Sequence, residues 1–345
     1  MNERHEVALS ELTTLRLGGP ARRVLTATSG EDVIDAVREV DAAGDRLLVL
    51  GGGSNLVAPD EGFPGTVVLI ASRGITVQAQ EACSGVTVTV AAGEPWEDLV
   101  RQAVENGWVG MEALAGIPGL TGATPIQNVG AYGQDVSQSV ARVRTWDRRA
   151  EAVRTFAGPD CGFAYRHSRF KGSARWVVLE VTFQLRHGSL GAPVRYGELA
   201  SRLGVAVGQR APLHQVRAAV LELRAGKGMV LDPADHDTWS AGSFFTNPVL
   251  TSELAERLPA CAPRFPDSQG RVKTSAAWLI EQAGFAKGYG SGPARLSTKH
   301  TLALTNRGRA RTADLLALAR EVRAGVRDCF GVELVNEPVL LDATL

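Results

Sequence analysis

Residues 115–135 form the stretch of this chain best suited to hold a ligand through its main chain. The sequence there is A-G-I-P-G-L-T-G-A-T-P-I-Q-N-V-G-A-Y-G-Q-D, with no lysine or arginine. Glycine costs about 1 kcal/mol and proline about 3 kcal/mol in a helix interior, so a long helix is excluded. Glycines allow positive φ angles and close approach of the backbone, and successive N–H groups in such turns form an anion-binding concavity. The stretch therefore indicates binding of an anionic group.

Two interpretations of this stretch differ in what its length means. One is an ordinary surface loop rich in turn residues. However, irregular stretches beyond about 12–15 residues in compact domains are usually functional or disordered, and this one is too apolar for disorder. Small hydroxyls and amides could complete its hydrogen bonding, namely those of Thr121, Thr124, Gln127 and Asn128. We interpret the stretch as a cradle for a large, flat, phosphate-bearing cofactor.

A second glycine cluster, G-G-G-S-N at residues 51–55, follows the apolar run L-L-V-L, which predicts a buried strand. A strand that enters G-x-G suggests a Rossmann dinucleotide site. The third glycine of that motif would fall at Leu56, however, and Pro59 stands where a helix should be established. A P-loop is excluded because no Gly-Lys-Ser/Thr follows. The cluster is either a phosphate-binding turn without a helix or a plain strand-to-strand turn.

Two further segments carry side chains that could take part in catalysis. F-A-Y-R-H-S at 163–168 combines an aromatic ring, a guanidinium and a hydroxyl, although a Tyr-Arg pair is also common on exposed edges. A-G-S-F-F-T-N-P at 241–248 sets Ser243 between a glycine and two phenylalanines. A desolvated alcohol there could donate a proton, or it could simply stabilise a turn. A hydrolase-type nucleophile is not indicated, because the G-x-S-x-G motif is absent.

The elements that must position these segments follow from apolar periodicity and end signals. Helices are predicted at 29–40 with Ser29 or a neighbour as N-cap, from 94 to about 107, and at 213–224, 252–258, 274–283 and 312–329. Strands are predicted at 47–50, 66–71, 86–91, 140–147 and 177–185, and the tail 332–341 is β-prone. We interpret the acidic stretch 232–238 as a linker near a domain boundary.

The composition excludes several classes of protein. At 345 residues the chain has room for two or three domains. Lysine plus arginine and aspartate plus glutamate both number 37, so no overall field favours nucleic acid or an anionic membrane. No apolar run is long enough for a membrane span, and the N-terminus lacks a signal-peptide core. Cys83, Cys161, Cys261 and Cys329 have no C-x-x-C spacing, so we expect no metal site, no disulfide framework and a cytoplasmic location.

Six motifs occur in order along nearly the whole chain. They are G-G-G-S-N at 51–55, I-P-G-L-T-G-A-T-P-I-Q-N-V-G-A-Y-G-Q at 117–134, A-Y-R-H-S at 164–168, A-G-S-F-F-T-N-P at 241–248, A-A-W-L-I-E-Q-A-G at 276–284 and a terminal glutamate. Together they resemble the UDP-N-acetylenolpyruvoylglucosamine reductase (MurB) family, flavoenzymes of peptidoglycan precursor synthesis. Y-G-E-L at 196–199 is similar to the tyrosine-bearing loop of the family's type I members.

The resemblance implies an α+β fold. An FAD-binding domain of the vanillyl-alcohol-oxidase (PCMH) type is expected over residues 1–230, as two subdomains of about 1–70 and 71–230. A C-terminal α/β domain for the UDP-sugar is expected over 231–330, followed by a tail, 331–345, that returns to the active site. The resemblance also implies FAD as cofactor, NADPH as hydride donor and UDP-N-acetylglucosamine enolpyruvate as substrate, with UDP-N-acetylmuramate as product. We further expect a monomer without a nucleic-acid or membrane partner.

The family's functional residues map onto matching positions of this sequence. Catalytic roles fall to Arg166, Ser243 and Glu337, with Glu333 as a rival for the glutamate; substrate contacts fall to Tyr196, Lys227 and Asn247. Expected cofactor contacts are Gly51, Gly52, Gly53, Ser54, Asn55, Gly116, Gly119, Gly122, Ala123, Thr124, Gln127, Asn128, Gly130, Tyr132, Gly133, Tyr165 and Arg224. Thr246 departs from the family's usual lysine or arginine, and His300 stands where other members have glutamine or a similar residue, with no role assigned.

Two other functions are compatible with these motifs. One is another FAD-dependent oxidoreductase of the same fold, of the alcohol or aldonolactone oxidase type. Many of those tether the flavin through His or Cys near the first glycine cluster, and residues 51–55 contain neither. The other is a nucleotide-sugar binding protein without turnover.

Overall fold

The computed structural model describes residues 1–81, 85–266 and 270–345. The chain divides into two compact units, each assembled from separate pieces of sequence. Unit one contains residues 1–7, 21–52 and 64–225, and unit two contains residues 8–20, 53–63 and 226–345. Cys83 lies outside the described residues, whereas Cys161, Cys261 and Cys329 are free thiols.

Helices and strands alternate irregularly along the chain. The α-helices are α1 (Gly30–Ala42), α2 (Trp96–Glu105), α3 (Gly197–Leu203), α4 (Leu213–Gly226), α5 (Ser252–Arg257), α6 (Ala276–Gln282) and α7 (Thr312–Phe330). The strands are β1 (Asn2–Ala8), β2 (Pro20–Ala27), β3 (Leu47–Leu50), β4 (Leu56–Val57), β5 (Phe63–Ile70), β6 (Ile75–Glu81), β7 (Gly85–Ala91), β8 (Trp108–Val109), β9 (Gly130–Ala131), β10 (Gln134–Asp135), β11 (Val140–Asp147), β12 (Ala152–Ala157), β13 (Trp176–His187), β14 (Val249–Leu250), β15 (Phe265–Pro266), β16 (Val272–Lys273), β17 (Ala294–Leu296), β18 (Leu304–Asn306) and β19 (Val339–Leu340).

Unit one contains two main sheets. One has the order β1-β2-β5-β3, with β3 and β5 parallel. The other has the order β12-β11-β13-β7-β6, and its neighbouring strands are antiparallel. The alternation of V-T-V-T-V explains β7, because Val86, Val88 and Val90 are fully buried while the threonines face the other way. On that other face the hydroxyls of Thr89 and Thr182 lie 2.9 Å apart across the strand pair.

The first helix of unit one forms where its sequence signals predict. The Ser29 hydroxyl accepts a hydrogen bond of 3.0 Å from the Asp32 amide, which confirms it as N-cap. Val33, Val37 and Val40 recur at helical spacing and are all buried. The helix therefore buries one apolar stripe in the core of unit one.

Unit two packs around α7 and contains the C-terminal residues of the chain. Leu315, Ala319 and Val322 lie on one face of α7 and are fully buried. The Asp60 carboxylate accepts hydrogen bonds of 2.8 Å from the Thr312 amide and 3.0 Å from the Ala313 amide, so it stabilises the start of α7. Strand β4 pairs in parallel with β19, which joins the segment 53–63 to the C-terminal tail.

The structure corrects several details of the sequence prediction. Residues 232–238 are no linker: Asp237 is only 5% exposed, and its carboxylate accepts hydrogen bonds of 2.9 Å from the Thr298 amide and the Arg307 guanidinium. Fixed ion pairs explain the acidic composition that suggested a solvated connection. The β-prone tail contains only the short strand β19, and helix α3 was not predicted. Helix α2 begins at Trp96, with Pro95 as its N-cap, two residues after the predicted start at Glu94.

The described residues contain neither a membrane-spanning helix nor a metal-binding cluster. In residues 1–81, 85–266 and 270–345, none of the helices combines the length and apolar character needed to cross a bilayer. Over the same ranges, no group of histidine, cysteine and acidic side chains is arranged to hold a metal ion.

Asp147 provides a test of the antiparallel sheet in unit one. Its fully buried carboxylate accepts hydrogen bonds of 2.7 and 2.6 Å from the Arg175 guanidinium and further ones from the amides of Arg149 and Ala150. The Arg175 guanidinium lowers the pKa of Asp147 from 3.8 to about 2. The charged form is therefore favoured in the folded protein, and its stabilisation is present above pH 3.8 and lost as the pH falls to about 2.

We predict that Asp147→Asn lowers the urea midpoint of unfolding at neutral pH. Between pH 3.8 and about pH 2 the gap between wild type and variant should close, because the wild-type carboxyl becomes neutral there. Chemical denaturation of both proteins along a pH series measures this gap. A gap of constant size would show that the Asp147 charge does not contribute.

Candidate functional site

The glycine-rich stretch lies in unit one along the segment that precedes α2. The Trp96 amide donates to the Gly119 carbonyl at 3.1 Å, the Thr121 amide to Glu94 at 2.8 Å, and the Gly122 amide to Ala92 at 2.8 Å. These main-chain hydrogen bonds hold the irregular stretch against the first residue of α2 and the residues just before it. It is therefore an ordered part of unit one and not an ordinary surface loop.

The two glycine clusters predicted to hold a cofactor are in contact. A Cβ atom added to Gly52 would lie 2.9 Å from the Gly119 Cα, and one added to Gly122 would lie 2.5 Å from the Ala92 Cβ. A real Cβ atom essentially never lies this close to another atom, so Gly52 and Gly122 cannot be replaced without moving the main chain. The main chain thus forms the surface here, which suits the close approach of a phosphate-bearing ligand.

Three residues near this surface have positive φ angles although they are not glycine. The φ angles are 48° at Asn128, 49° at Tyr132 and 51° at Arg166. This conformation is uncommon for side-chain-bearing residues, and it clusters at ligand sites where the surroundings enforce it. Asn128 is held by both ends of its amide, since Nδ2 donates to the Ala164 carbonyl and Oδ1 accepts from the Ser137 amide, each at 3.1 Å.

The segment 163–168 is attached to the glycine-rich stretch. An Arg166 guanidinium nitrogen donates to the Gly130 carbonyl at 2.9 Å, and the Ser168 hydroxyl donates to the Ile126 carbonyl at 2.6 Å. The structure therefore brings Arg166, predicted to be catalytic, next to the predicted cofactor residues. Its neighbour Tyr165 has 46% of its surface exposed.

Arg224 is a second arginine, and its charge interacts with that of Arg166. Burial lowers the pKa of Arg224 to about 10, and repulsion from Arg166 adds to this shift, while Tyr132 and Glu97 oppose it. Arg224 still carries its charge at neutral pH. Two guanidiniums that destabilise each other favour an anionic partner.

Tyr132 and Tyr196 form an aromatic pair beside the arginines. Their ring centroids lie 5.4 Å apart in an edge-to-face arrangement. Burial raises the pKa of Tyr132 to about 12, so its hydroxyl stays protonated. Tyr196 precedes α3 and is 45% exposed, so it remains accessible to a ligand of unit one.

The remaining predicted cofactor residues of unit one differ in what their side chains do. The Thr121 hydroxyl donates to the Glu94 carbonyl and that of Thr124 to the Thr121 carbonyl, so both hydroxyl hydrogens serve the fold of the stretch. Ala123 is exposed and Gln127 half-buried. Gly116 and Gly133 have φ angles of 71° and 83° that favour glycine.

Sequence reasoning missed the carboxylate that holds the start of this stretch. Glu97 accepts a hydrogen bond of 2.5 Å from the Gly116 amide and forms an ion pair with Arg217. Glu97 lies in the first turn of α2, where an acid is ordinary because of the helix dipole. Only the fold, which places Gly116 and Arg217 beside it, distinguishes it.

Unit two contains the predicted proton donor. Ser243 lies between Gly242, with a φ angle of 71°, and two phenylalanines that are each 1% exposed. The Phe244 amide donates to the Leu302 carbonyl at 2.7 Å, and the Phe244 and Phe245 rings lie 5.1 Å apart. The serine is thus half-buried on a rigid, apolar support.

The C-terminal tail brings Glu337 to the Ser243 segment. The Glu337 amide donates to the Phe244 carbonyl at 2.8 Å, and Phe245 pairs with Asn336 in an isolated antiparallel bridge. Glu333, the rival glutamate, instead forms an ion pair of 2.8 Å with Arg323. The structure therefore joins Glu337, and not Glu333, to the residues around Ser243.

The first glycine cluster continues into unit two and meets the same tail. The Val339 amide donates to the Asn55 carbonyl at 2.9 Å, and the Asn55 side chain donates to the Glu337 carbonyl at 3.4 Å. A Cβ added to Gly53 would lie 1.9 Å from the Leu12 carbonyl oxygen, so only glycine fits. The turn 53–55, which includes Ser54, thus supports the backbone of Glu337.

Two predicted substrate residues, Asn247 and Lys227, lie in unit two just outside helices and strands. Asn247 Oδ1 accepts a hydrogen bond of 2.9 Å from the Ala276 amide at the start of α6, which leaves Nδ2 as the donor that the side chain can offer a ligand. Lys227 lies between two glycines directly after α4. A cation on such a junction suits an anionic substrate.

Known proteins match this arrangement in sequence and in structure. A family model described as FAD binding domain matches residues 21–155, and one described as UDP-N-acetylenolpyruvoylglucosamine reductase, C-terminal domain, matches residues 232–341. The UDP-N-acetylenolpyruvoylglucosamine reductase of Streptomyces coelicolor is 58% identical, over 100% of this chain and 92% of its own length. This chain belongs to the UDP-N-acetylenolpyruvoylglucosamine reductase family.

Two further MurB relatives agree. The Thermobifida fusca protein of the same name is 57% identical, over 98% of both chains. The crystal structure of the Thermus caldophilus enzyme matches with a TM-score of 0.67 at 26% identity, over 98% of this chain and 99% of that one. The predicted family, the α+β fold with an FAD-binding domain and the FAD cofactor are confirmed, and the two rival functions are set aside.

The residues of unit one fit FAD on physical grounds. A Cβ at Gly52 or Gly122 would clash with neighbouring protein atoms, so glycine is required at both positions, and glycine-rich main chain of this kind suits phosphate binding through backbone N–H groups. Arg224 supplies a buried positive charge that an anion would neutralise. The residues that would hold FAD in unit one are therefore the glycine stretches and this arginine.

We predict that Gly52→Ala weakens FAD binding, because the new Cβ would press on Gly119 at 2.9 Å and separate the two stretches. Overpacking of this kind costs about 1–3 kcal/mol, which corresponds to roughly 5- to 150-fold in Kd. Titration of the apoprotein with FAD, followed by flavin fluorescence, measures the effect.

Gly30→Ala is the matched control, because a Cβ at Gly30 meets nothing within 4 Å and its φ angle is ordinary. This variant should bind FAD like the wild type. Equal affinities for all three proteins would contradict the proposed contact between backbone and cofactor.

Proposed function

We propose that this chain uses NADPH to reduce the enolpyruvyl group of UDP-N-acetylglucosamine enolpyruvate to UDP-N-acetylmuramate, a step of peptidoglycan precursor synthesis. The whole-length identity to enzymes of that name supports the activity. The observation that carries the assignment of residues is the 2.8 Å hydrogen bond from the Glu337 amide to the Phe244 carbonyl, which holds an acid beside the Ser243 segment. FAD, when bound, supplies the chemistry of hydride transfer from NADPH to the terminal vinyl carbon.

Arg166 is proposed to bind and polarise the substrate carboxylate. Hydride addition to the vinyl carbon pushes negative charge into that carboxylate, so a cation aimed at it lowers the barrier. A planar guanidinium with several donors suits a carboxylate. The bond from Arg166 to the Gly130 carbonyl uses one of its nitrogens, fixes the plane of the group and supports this role.

Ser243 is proposed as the general acid. Its hydroxyl would deliver a proton to the carbon next to the vinyl terminus, so that hydride and proton together saturate the double bond. The buried phenylalanines on its C-terminal side limit access of water to the hydroxyl, which favours delivery to substrate. Glu337 is proposed to stabilise the enolic form of the substrate carboxylate.

Substrate binding is proposed to involve both polar and aromatic side chains. Tyr196, Lys227 and Asn247 would contact the UDP diphosphate, and the Nδ2 donor of Asn247 supports this. In unit one, the glycine stretches and Arg224 would hold FAD, together with Tyr165 and Gln127. In unit two, Gly53, Ser54 and Asn55 would also contact the cofactor.

The organisation of the whole protein is part of the proposal. Residues 1–230 would serve FAD, 231–330 the UDP-sugar, and 331–345 the active-site tail. We expect a monomer in the cytoplasm, in agreement with the free thiols among the described residues.

Anaerobic stopped-flow spectroscopy on the FAD-loaded protein tests the activity directly. NADPH should bleach the flavin, and a second mixing with UDP-N-acetylglucosamine enolpyruvate should restore its absorbance in one turnover. A flavin that bleaches but does not recover with this substrate would refute the proposed function.

We predict that Ser243→Ala leaves bleaching by NADPH intact and slows reoxidation by the enolpyruvyl substrate about 10²–10⁴-fold, the usual contribution of a positioned acid. Ser252→Ala, an exposed serine of α5 in the same unit, serves as control and should behave like the wild type. An equal loss in both half-reactions would argue against Ser243 as proton donor.

We predict that Arg166→Lys slows the same second half-reaction about 10²–10³-fold, because lysine keeps the charge but loses the planar set of donors. Double-mixing stopped-flow separates the two halves. Arg73→Lys, at an exposed arginine of unit one, is the control. Wild-type reoxidation in Arg166→Lys would remove Arg166 from the reacting group.

A further inference from the structure

Glu112 is a fully buried glutamate of unit one that has no part in the reaction described above. Its Oε2 accepts a hydrogen bond of 2.7 Å from the Gly110 amide. Its Oε1 accepts two, of 3.0 Å from Gln134 Nε2 and of 2.5 Å from the Ala192 amide. Burial of a carboxylate is costly unless donors satisfy it. Three donors converge on this one, so the surrounding fold is built around its charge.

The donors belong to three different parts of the chain. Gly110 follows β8, Gln134 ends the glycine-rich stretch, and Ala192 belongs to residues 189–197, here called the Tyr196 segment. Gln134 is itself oriented, because its Oε1 accepts a hydrogen bond of 2.9 Å from the Ala113 amide. Glu112 therefore joins the end of the cofactor stretch to the segment that carries Tyr196.

A glycine makes room for this connection. A Cβ added to Gly191 would lie 2.9 Å from Glu112 Oε1. On its other side the segment pairs with a neighbouring strand-like stretch, since the Gly191 amide donates to Ala211 at 2.9 Å and the Val194 amide donates to Gln209 at 2.8 Å. The close contact of Gly191 with Glu112 on one side and the hydrogen bonds to Ala211 and Gln209 on the other direct the Ala192 amide at the carboxylate.

Two further contacts continue the same line towards Tyr196. A Cβ on Gly133 would lie 2.9 Å from the Arg195 Cβ, so the glycine-rich stretch packs directly on the segment. One residue further along, Tyr196 meets Tyr132 edge to face at 5.4 Å. The glycine-rich stretch therefore meets the Tyr196 segment at three successive residues, Gln134, Gly133 and Tyr132. At Gln134 the connection passes through the carboxylate of Glu112.

We propose that Glu112 is a positioning residue that fixes the base of the Tyr196 segment and so sets where Tyr196 meets the sugar nucleotide. The inference rests on the proposed function for its kinetic consequence, but its structural part can be measured without substrate. Loss of the bond to Ala192 should loosen the segment and weaken substrate retention. Reduction of bound flavin by NADPH should not change, because Tyr196 is assigned to the sugar nucleotide.

Two variants break the connection from opposite sides. Glu112→Gln removes the negative charge and places an NH₂ group against the amide of either Gly110 or Ala192, so the bond to Ala192 is weakened in one orientation and lost in the other. Gly191→Ala keeps the carboxylate but sets a methyl group against it at 2.9 Å, which displaces the Ala192 amide. Each should raise hydrogen–deuterium exchange in residues 191–197, and each should raise the KM for the enolpyruvyl substrate about ten- to 10²-fold, as misplacement by about 1 Å can do.

The double variant Glu112→Gln/Gln134→Glu separates the two bonds on Oε1. The exchanged side chains can still bond to each other, with the new amide at position 112 as donor and the new carboxylate at position 134 as acceptor. The NH₂ group of that amide then faces the Ala192 amide, so exchange in the Tyr196 segment should stay high in the double variant. Recovery of wild-type exchange and KM would assign the effect to the Gln134 bond and overturn the proposal.

Asp147→Asn is the matched control, because it also removes a fully buried carboxylate of unit one. It should leave exchange in residues 191–197 and the KM unchanged. Unaltered exchange in Glu112→Gln and Gly191→Ala would overturn the positioning role, even if both proteins are less stable. If wild-type flavin fails to reoxidise with the enolpyruvyl substrate, only the proposed function falls, since the exchange measurement needs no turnover.

Discussion

Direct contact between two stretches of main chain is the constraint on which unit one depends. Gly52 and Gly119 approach so closely that a single methyl group would force them apart. Because this contact requires glycine, the main chain contributes amide groups here, and hydrogen bonds to residues 92–96 set the positions of several of them. Rigid backbone is a suitable surface for phosphate, since its donors need no ordering when the ligand arrives.

Two carboxylates hold the ends of this surface, the partly exposed one of Glu97 and the buried one of Glu112. Glu97 anchors its start through the Gly116 amide, and Glu112 anchors its end through Gln134. Each also reaches a separate part of unit one, Arg217 in the first case and Ala192 in the second. Glycines leave this irregular stretch few side chains to pack, so hydrogen bonds to charged groups at its ends add to the apolar contacts that Ile117 and Val129 make with the core.

Local signals made much of the fold predictable. Ser29 as N-cap, the alternation in β7 and the apolar run of β3 each determine structure within a few residues, and the structure has these elements where they were predicted. Asp237 was misinterpreted because nothing near it in sequence reveals its partners, Thr298 and Arg307. Glu112 escaped notice for the same reason, as its donors lie up to 80 residues away. Site residues were predictable where motifs carry them, whereas the residues that support the motifs depend on tertiary contacts.

The parallel pairing of β4 with β19 has a consequence for how the protein is made. Leu56 is synthesised early but pairs with Val339, which lies more than 280 residues further along the chain. The Asn55 carbonyl accepts its hydrogen bond from the Val339 amide only after that residue has been made. On the ribosome, unit two therefore stays incomplete until Val339 has been synthesised, and β4 has no β19 partner before then. Contacts of such long sequence separation slow folding and expose edges to wrong partners. Glu337 reaches the Ser243 segment only in that step, so the backbone contact between the two forms after α7 has been synthesised.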